Sequence, residues 1–385
     1  GDTGASRPAV KILKTDKNED VVVVGYEETK GLSQSSAGVP DKIITNISDE
    51  GKAVFFESFL FNEAANIDLS GDKKITDYPV PMISSGKIVS EKYPEEGNSS
   101  NMIYENARRL VIGTQVDSSM PSTNQKINFA FMYKQSYDTQ GSSSDMFVRT
   151  VKNGFTIDNF QDAVNVSSQV KPEIALTTLV DYTGAWTTAN LNDNTYDSPD
   201  ENTFSPRIFL RADNIYVGYE YTPNENAVNA DGETTIPSNF YTHISLNGVW
   251  QGPKNITKVI DPNQTTVDAR FFGTPQAGDG EAYDSNVLFV TWGNIDLDNT
   301  YNEKREADLF YTRSIDNGLN WDSINDLAHK TPSIEEKEVE SLASADGRSF
   351  YNVWIQEVDG VNEETAYNLD SYFGRVDYTS TVPVP

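Results

Sequence analysis

Five of the eleven arginines in this 385-residue chain fall in short stretches that also read as β-strands: Arg7, Arg108, Arg109, Arg207 and Arg270. Guanidinium groups gathered from several strands could receive a carboxylate, phosphate or sulfate through paired hydrogen bonds. If those strands line one central channel, the five converge at one of its ends. The competing reading is that each arginine pairs with a nearby carboxylate and ties adjacent sheets together. Ser341, taken as the fifth equivalent position, breaks a symmetric arginine ring. Calcium is the second chemistry to weigh. Asn66, Asp68, Ser70 and Asp72 alternate as oxygen donors around Gly71, as a calcium loop requires, but the eighth position holds Lys73 instead of an apolar residue and the set ends in Asp77 rather than Glu. Lys73 and Lys74 oppose it, and a solvated acidic turn fits equally well. Asp296 and Asp298 form another oxygen-rich pair. The histidines, His243 and His329, are isolated, which argues against copper. His243 takes the strand slot held by Arg149, Arg313 and Arg375 in sister segments and reads as exposed. Tyr, Asp and Glu are too abundant to single out a nucleophile and acid, so no catalytic residue is assigned.

A repeat positions these side chains. Five second strands are marked by Tyr26, Tyr133, Tyr219, Trp292 and Trp354, and the interval between markers shrinks toward the C-terminus. A first strand precedes each marker, around Arg7, Ala107, Pro206, Ala269 and Glu340. A third follows, over 54–61, 146–150, 240–245, 309–314 and 372–378. Four-stranded antiparallel units repeated around an axis describe an all-β fold, the β-propeller. Five blades are expected; segments 62–104 and 152–204 could each hold another, so six or seven stay open. One domain spans 1–378, and the Ser/Thr/Pro-rich tail 379–385 reads as the approach to a removed anchor segment. Asn-Gly pairs at 153–154, 247–248 and 317–318 signal two-residue hairpins. In Ser314-x-Asp316-x-Gly318-x-x-Trp321, the polar side chains would fold the turn and the indole would pack between strands.

Composition narrows the partners. With 30 Lys+Arg against 58 Asp+Glu the formal net charge is −28, which disfavours nucleic acid and anionic lipid. The absence of cysteine excludes disulfides and thiolate chemistry. No apolar run approaches the roughly 20 residues of a membrane span. The opening Gly1-Asp2-Thr3 suits a processed start. Asn-x-Ser/Thr sequences at Asn46, Asn98, Asn165, Asn255 and Asn263 are expected by chance in so Asn- and Thr-rich a chain.

The segment 314–321 resembles the Asp-box of sialidase-like propellers, and 150–154 and 245–250 resemble degenerate copies. Proteins of that kind hold a carboxylate with arginines from different blades. The phrases Glu105-Asn-Ala-Arg-Arg, Gly218-Tyr-Glu-Tyr-Thr-Pro-Asn, Asp308-Leu-Phe-Tyr-Thr-Arg-Ser and Asp370-Ser-Tyr-Phe-Gly-Arg resemble, in order, the secreted bacterial proteins called choice-of-anchor O. That resemblance implies export and a repeat-bearing ectodomain, and carries no settled activity. The expectation is therefore a secreted or cell-surface, non-enzymatic propeller: a binding and assembly module that could coat a filament or lattice. Its partner would be another extracellular protein, a second copy, or a glycan. Two alternatives remain: a carbohydrate-active enzyme or anionic-glycan lectin using the channel arginines, and a calcium-dependent adhesin.

Overall fold

A computed structural model describes residues 6–15, 17–28, 53–61, 82–90, 93–95, 98–103, 107–116, 127–136, 144–167, 202–222, 238–259, 264–276, 283–296, 307–328, 336–357 and 369–378. Among them the strands form five antiparallel sheets in chain order. The first holds β1 (Ser6–Lys14), β2 (Asp20–Glu28), β3 (Ala53–Leu60) and β4 (Met82–Ile88). A small pair, β5 (Tyr93–Glu95) and β6 (Asn98–Ile103), follows. The second sheet holds β7 (Ala107–Thr114), β8 (Ile127–Ser136), β9 (Ser144–Lys152) and β10 (Val164–Asn165). The third holds β11 (Asn202–Arg211), β12 (Asn214–Thr222) and β13 (Asn239–Leu246), with β14 (Val249–Trp250) and β15 (Lys254–Asn255) both on β13. The fourth is β16 (Gln264–Gly273), β17 (Leu288–Asp296), β18 (Ala307–Ser314) and β19 (Asn325–Asp326); the fifth is β20 (Glu336–Ala343), β21 (Ser349–Glu357) and β22 (Leu369–Asp377).

The opening strands of consecutive sheets are neighbours in the order β1, β7, β11, β16, β20. Five sheets standing side by side through their first strands are the blades of a β-propeller. Among its described residues, segment 62–104 contributes β4 to the first blade and the separate pair β5–β6. Second strands such as Val21–Val24 and Leu288–Val290 are apolar on both faces because a blade is covered by neighbours on both sides. Apolar side chains cluster between blades one and two around Phe56, Phe129 and Phe131, between two and three around Leu210 and Tyr219, and between three and four around Phe240 and Trp292.

All five inner strands carry the same irregularity. Three residues of the inner strand advance against two of the second strand between Ser6 and Ala9, Arg108 and Val111, Phe204 and Arg207, Val267 and Arg270, and Lys337 and Glu340. This is a one-residue β-bulge near the start of each strand. In four blades the residue after the first of these has left-handed backbone: Arg7 (φ 51), Arg109 (φ 57), Ser205 (φ 48) and Asp268 (φ 53). No glycine relieves any of them.

Two local expectations change. Of the three Asn-Gly pairs, only Asn247-Gly248 (φ 51 and 82) closes a two-residue hairpin, between β13 and β14. Asn317-Gly318 (φ 59 and 80) turns inside the longer β18–β19 connection, and Asn153 (φ 58) opens a loop containing a 3-10 turn at Ile157–Asn159. In the 314–321 turn, Gly318 N–H donates to Ser314 Oγ (2.8 Å), and Asp316 accepts from Ser314 Oγ (2.9 Å) and from the Asn320 backbone N–H (2.9 Å). Trp321 packs on Phe271 with ring centroids 6.2 Å apart. His243 is buried rather than exposed, at 2% accessibility, with Nδ1 2.8 Å from Val166 O and its ring against Trp250. Burial lowers its pKa, opposed by that backbone bond.

Candidate functional site at the axial bulges

Register sorts the arginines differently from their spacing in sequence. Arg7 and Arg109 occupy the left-handed bulge position and are exposed, while Arg108 precedes it, half-buried. Arg207 and Arg270 lie two residues later, where the second strand places Gly218 and Thr291 opposite. The fifth equivalent of that pair is Glu340, not Ser341. The structure brings Arg207 and Arg270 together, close enough that Arg270 helps depress the Arg207 pKa after burial, the larger cause. Arg7, Arg108 and Arg109 sit at the starting ends of β1 and β7, whereas Arg207 and Arg270 lie midway along β11 and β16. Residues 66–77 and Asp298 lie outside the described residues, as does His329; Asp296 ends β17. Among the described residues no group of three His, Asp or Glu gathers as metal ligands, and no helix is long and apolar enough to cross a membrane.

A polar layer joins the bulges of the second, third and fourth blades to the blade before each. Facing the bulge, the second strand offers Glu27, Lys134 and Glu220, opposite Ser6, Arg108 and Phe204 respectively. Each reaches the next blade. Glu27 Oε1 accepts the Arg109 backbone N–H at 2.7 Å. Lys134 Nζ donates to Asn202 Oδ1 at 3.1 Å and lies over the Phe204 ring. Glu220 accepts from the Ala269 backbone N–H and from the Ser205 hydroxyl. Bulging exposes backbone groups that a regular ladder would consume: Glu27 and Glu220 accept such N–H groups, at Arg109 and Ala269, whereas Lys134 donates to Asn202 Oδ1 and Thr203 O.

Glu220 differs from the rest. It is 7% exposed, and its Oε1 is buried with no partner. Burial raises its pKa from 4.5 to about 7; Ser205, Arg207 and Ala269 pull downward, and the Asp268 charge adds to the rise. Arg207 is held by carbonyls: Nε donates to Ala269 O (3.0 Å) and Nη1 to Pro206 O (3.0 Å). Among the described residues it makes no ion pair. Arg270 has two, to Glu340 (2.9 Å) and Asp268 (3.4 Å), both with exposed carboxylates. The site thus combines a proton-bearing carboxyl, a carboxylate and two fixed guanidiniums within three adjoining strands. The sequence reading missed Glu220 and Asp268. Only the shared offset from each second-strand aromatic, Tyr26 to Glu27 and Tyr219 to Glu220, could have pointed to the former.

No protein-family model matches the chain, the choice-of-anchor O family included, and no curated protein matches it in sequence. Solved structures resemble it over most of its length at low identity. An α-L-arabinanase of Penicillium chrysogenum complexed with arabinobiose shares 9% identity, covering 91% of this chain and 77% of that one, with a TM-score of 0.38. A GH93 α-L-arabinofuranosidase of Fusarium graminearum with arabinobiose shares 7%, covering 92% and 77%, at 0.39. A B. megaterium levansucrase shares 9%, covering 99% and 84%, at 0.37. All three are named as carbohydrate-active enzymes, and against them the expectations of a non-enzyme and of an assembly module are corrected. Which sugars those proteins handle stays with them; the chemistry of this chain has to come from its own residues.

Proposed function

We propose that the chain is a carbohydrate-active enzyme whose axial site receives an acidic glycan. Arg207 and Arg270 clamp a carboxylate or sulfate, and Glu220 is the proton donor. One observation carries this reading: a buried carboxyl with an orphaned oxygen and a pKa of about 7 lies beside an arginine that has no ion pair. A general acid works best when its pKa is near the working pH, and acid-assisted glycoside cleavage uses two carboxyls held in different protonation states. Glu220 gives its proton to the glycosidic oxygen as the C–O bond breaks. The Asp268 carboxylate takes a proton from the water that attacks the anomeric carbon, so the products are a hemiacetal and a freed alcohol. An exported location, one domain over 1–378 and the choice-of-anchor O resemblance are proposed with this reading.

Incubation with polyuronides, sialosides and sulfated glycans tests it. New reducing ends are expected from at least one acidic polymer. Glu220→Gln should lose turnover while keeping binding, and the Arg207→Ala, Arg270→Ala double variant should bind at least about tenfold more weakly. If no acidic glycan is bound or cut by the unaltered protein, the reading falls.

A further inference from the structure

Away from the axial bulges, a cavity lies between the second and third blades, at the opposite ends of the strands. Its volume is about 570 Å³, within the range of small-molecule sites. The Asn247-Gly248 hairpin builds one wall. Because segment 245–250 is two residues shorter than 314–321, its tryptophan falls on β14, paired with Ser245. Trp321 packs on Phe271 in the apolar cluster between the third and fourth blades, whereas Trp250 walls the cavity with its ring held edge-on to His243, centroids 4.9 Å apart.

The lining has two chemistries. Ile127, Val148 and Ile215 supply an apolar floor beside the indole. Asp213 and Asp162 oppose a single ammonium, Lys152, so the charge balance refuses an anion. Ser245 is 1% exposed and also lines the cavity, and its Oγ is buried without a partner. An orphaned buried hydroxyl costs free energy until a ligand supplies the missing hydrogen bond. A flat indole, an apolar floor, one buried carboxylate (Asp213) and one exposed carboxylate (Asp162) suit a ligand with one C–H face and a ring of hydroxyls.

We infer that this cavity is a binding site for a neutral sugar unit, stacked on Trp250 and hydrogen-bonded to Ser245, Asp213 and Asp162. It is independent of the axial site in position and in charge preference. It would hold a neutral stretch of glycan away from the place where acidic sugars are clamped.

Titration calorimetry with neutral mono- and disaccharides of hexoses and pentoses, on the intact chain, is the test. At least one should bind. Trp250→Ala, and separately the surface change Asp162→Ala, should each weaken it by about tenfold. Asp162 is exposed, so its variant keeps the test informative if loss of the indole disturbs packing. The Arg207→Ala, Arg270→Ala double variant should bind the same sugar unchanged, which separates this site from the axial one. The inference is overturned if no neutral sugar binds, or if binding is indifferent to both Trp250 and Asp162.

Discussion

At the scale of single residues, Glu220 holds a proton that an exposed glutamate would release. Its pKa is about 7 in the folded chain against 4.5 outside it. Below 4.5 both states are protonated and the carboxyl contributes no penalty. Between 4.5 and 7 the unfolded chain ionises while the folded one keeps its proton, so stability falls as pH rises, levelling off above 7. The whole difference is of order 3 kcal/mol. Glu220→Gln keeps the shape and removes the titration. Denaturant unfolding at pH 4.5 and pH 8 should therefore show the variant gaining on the parent chain at the higher pH. A constant gap between the two curves would mean that Glu220 ionises as freely in the blade as in water.

At the scale of the strand, the bulge decides which side chains meet. Strand positions were legible in the sequence, because runs such as Val21–Val24 are short, continuous and β-branched, as strands buried on both faces are, and a marker aromatic recurs in each second strand. The site was legible only in part. Arg207 and Arg270 do meet, but one extra residue per inner strand puts Arg7 and Arg109 at a different step and makes Glu340, not Ser341, their companion. Bulges leave no mark in composition, least of all when the left-handed residue is Arg, Ser or Asp rather than Gly. Glu220 stayed hidden because its role comes from burial under the next blade, which no local pattern encodes. The bulge has its own test. Arg109 adopts φ 57 while its N–H is fixed on Glu27, and a left-handed conformation costs an ordinary residue roughly 1–2 kcal/mol. Arg109→Gly should keep or slightly raise the melting temperature. Arg109→Val, branched at Cβ, should lower stability by roughly 1–3 kcal/mol. Equal stability in the two would show that the ladder can shed the bulge.

At the scale of the whole molecule, the repeat leaves two faces uncovered. Val10 and Ile12 on β1 are 54% and 56% exposed, and Leu342, Val353 and Phe373 of the fifth sheet are 63%, 47% and 68% exposed. Counted from the bulge, Leu342 is the equivalent of Phe209, and Val10 of Phe271. Those two phenylalanines pack across the join of blades three and four, with centroids 5.1 Å apart. The same rule turns Leu342 toward the blade that would follow it and Val10 toward the blade that would precede it. Apolar faces of this kind gain free energy by leaving water, and each is the partner the other's position calls for. The first and fifth blades are thus expected to close the ring on one another. Since the chain has no cysteine, Val10→Cys with Leu342→Cys creates its only thiol pair. A short bismaleimide should then join the two within one chain, giving a monomer of altered mobility on a denaturing gel. Two singly capped thiols would show that the ring stays open, and dimers would show that each face is reserved for another molecule.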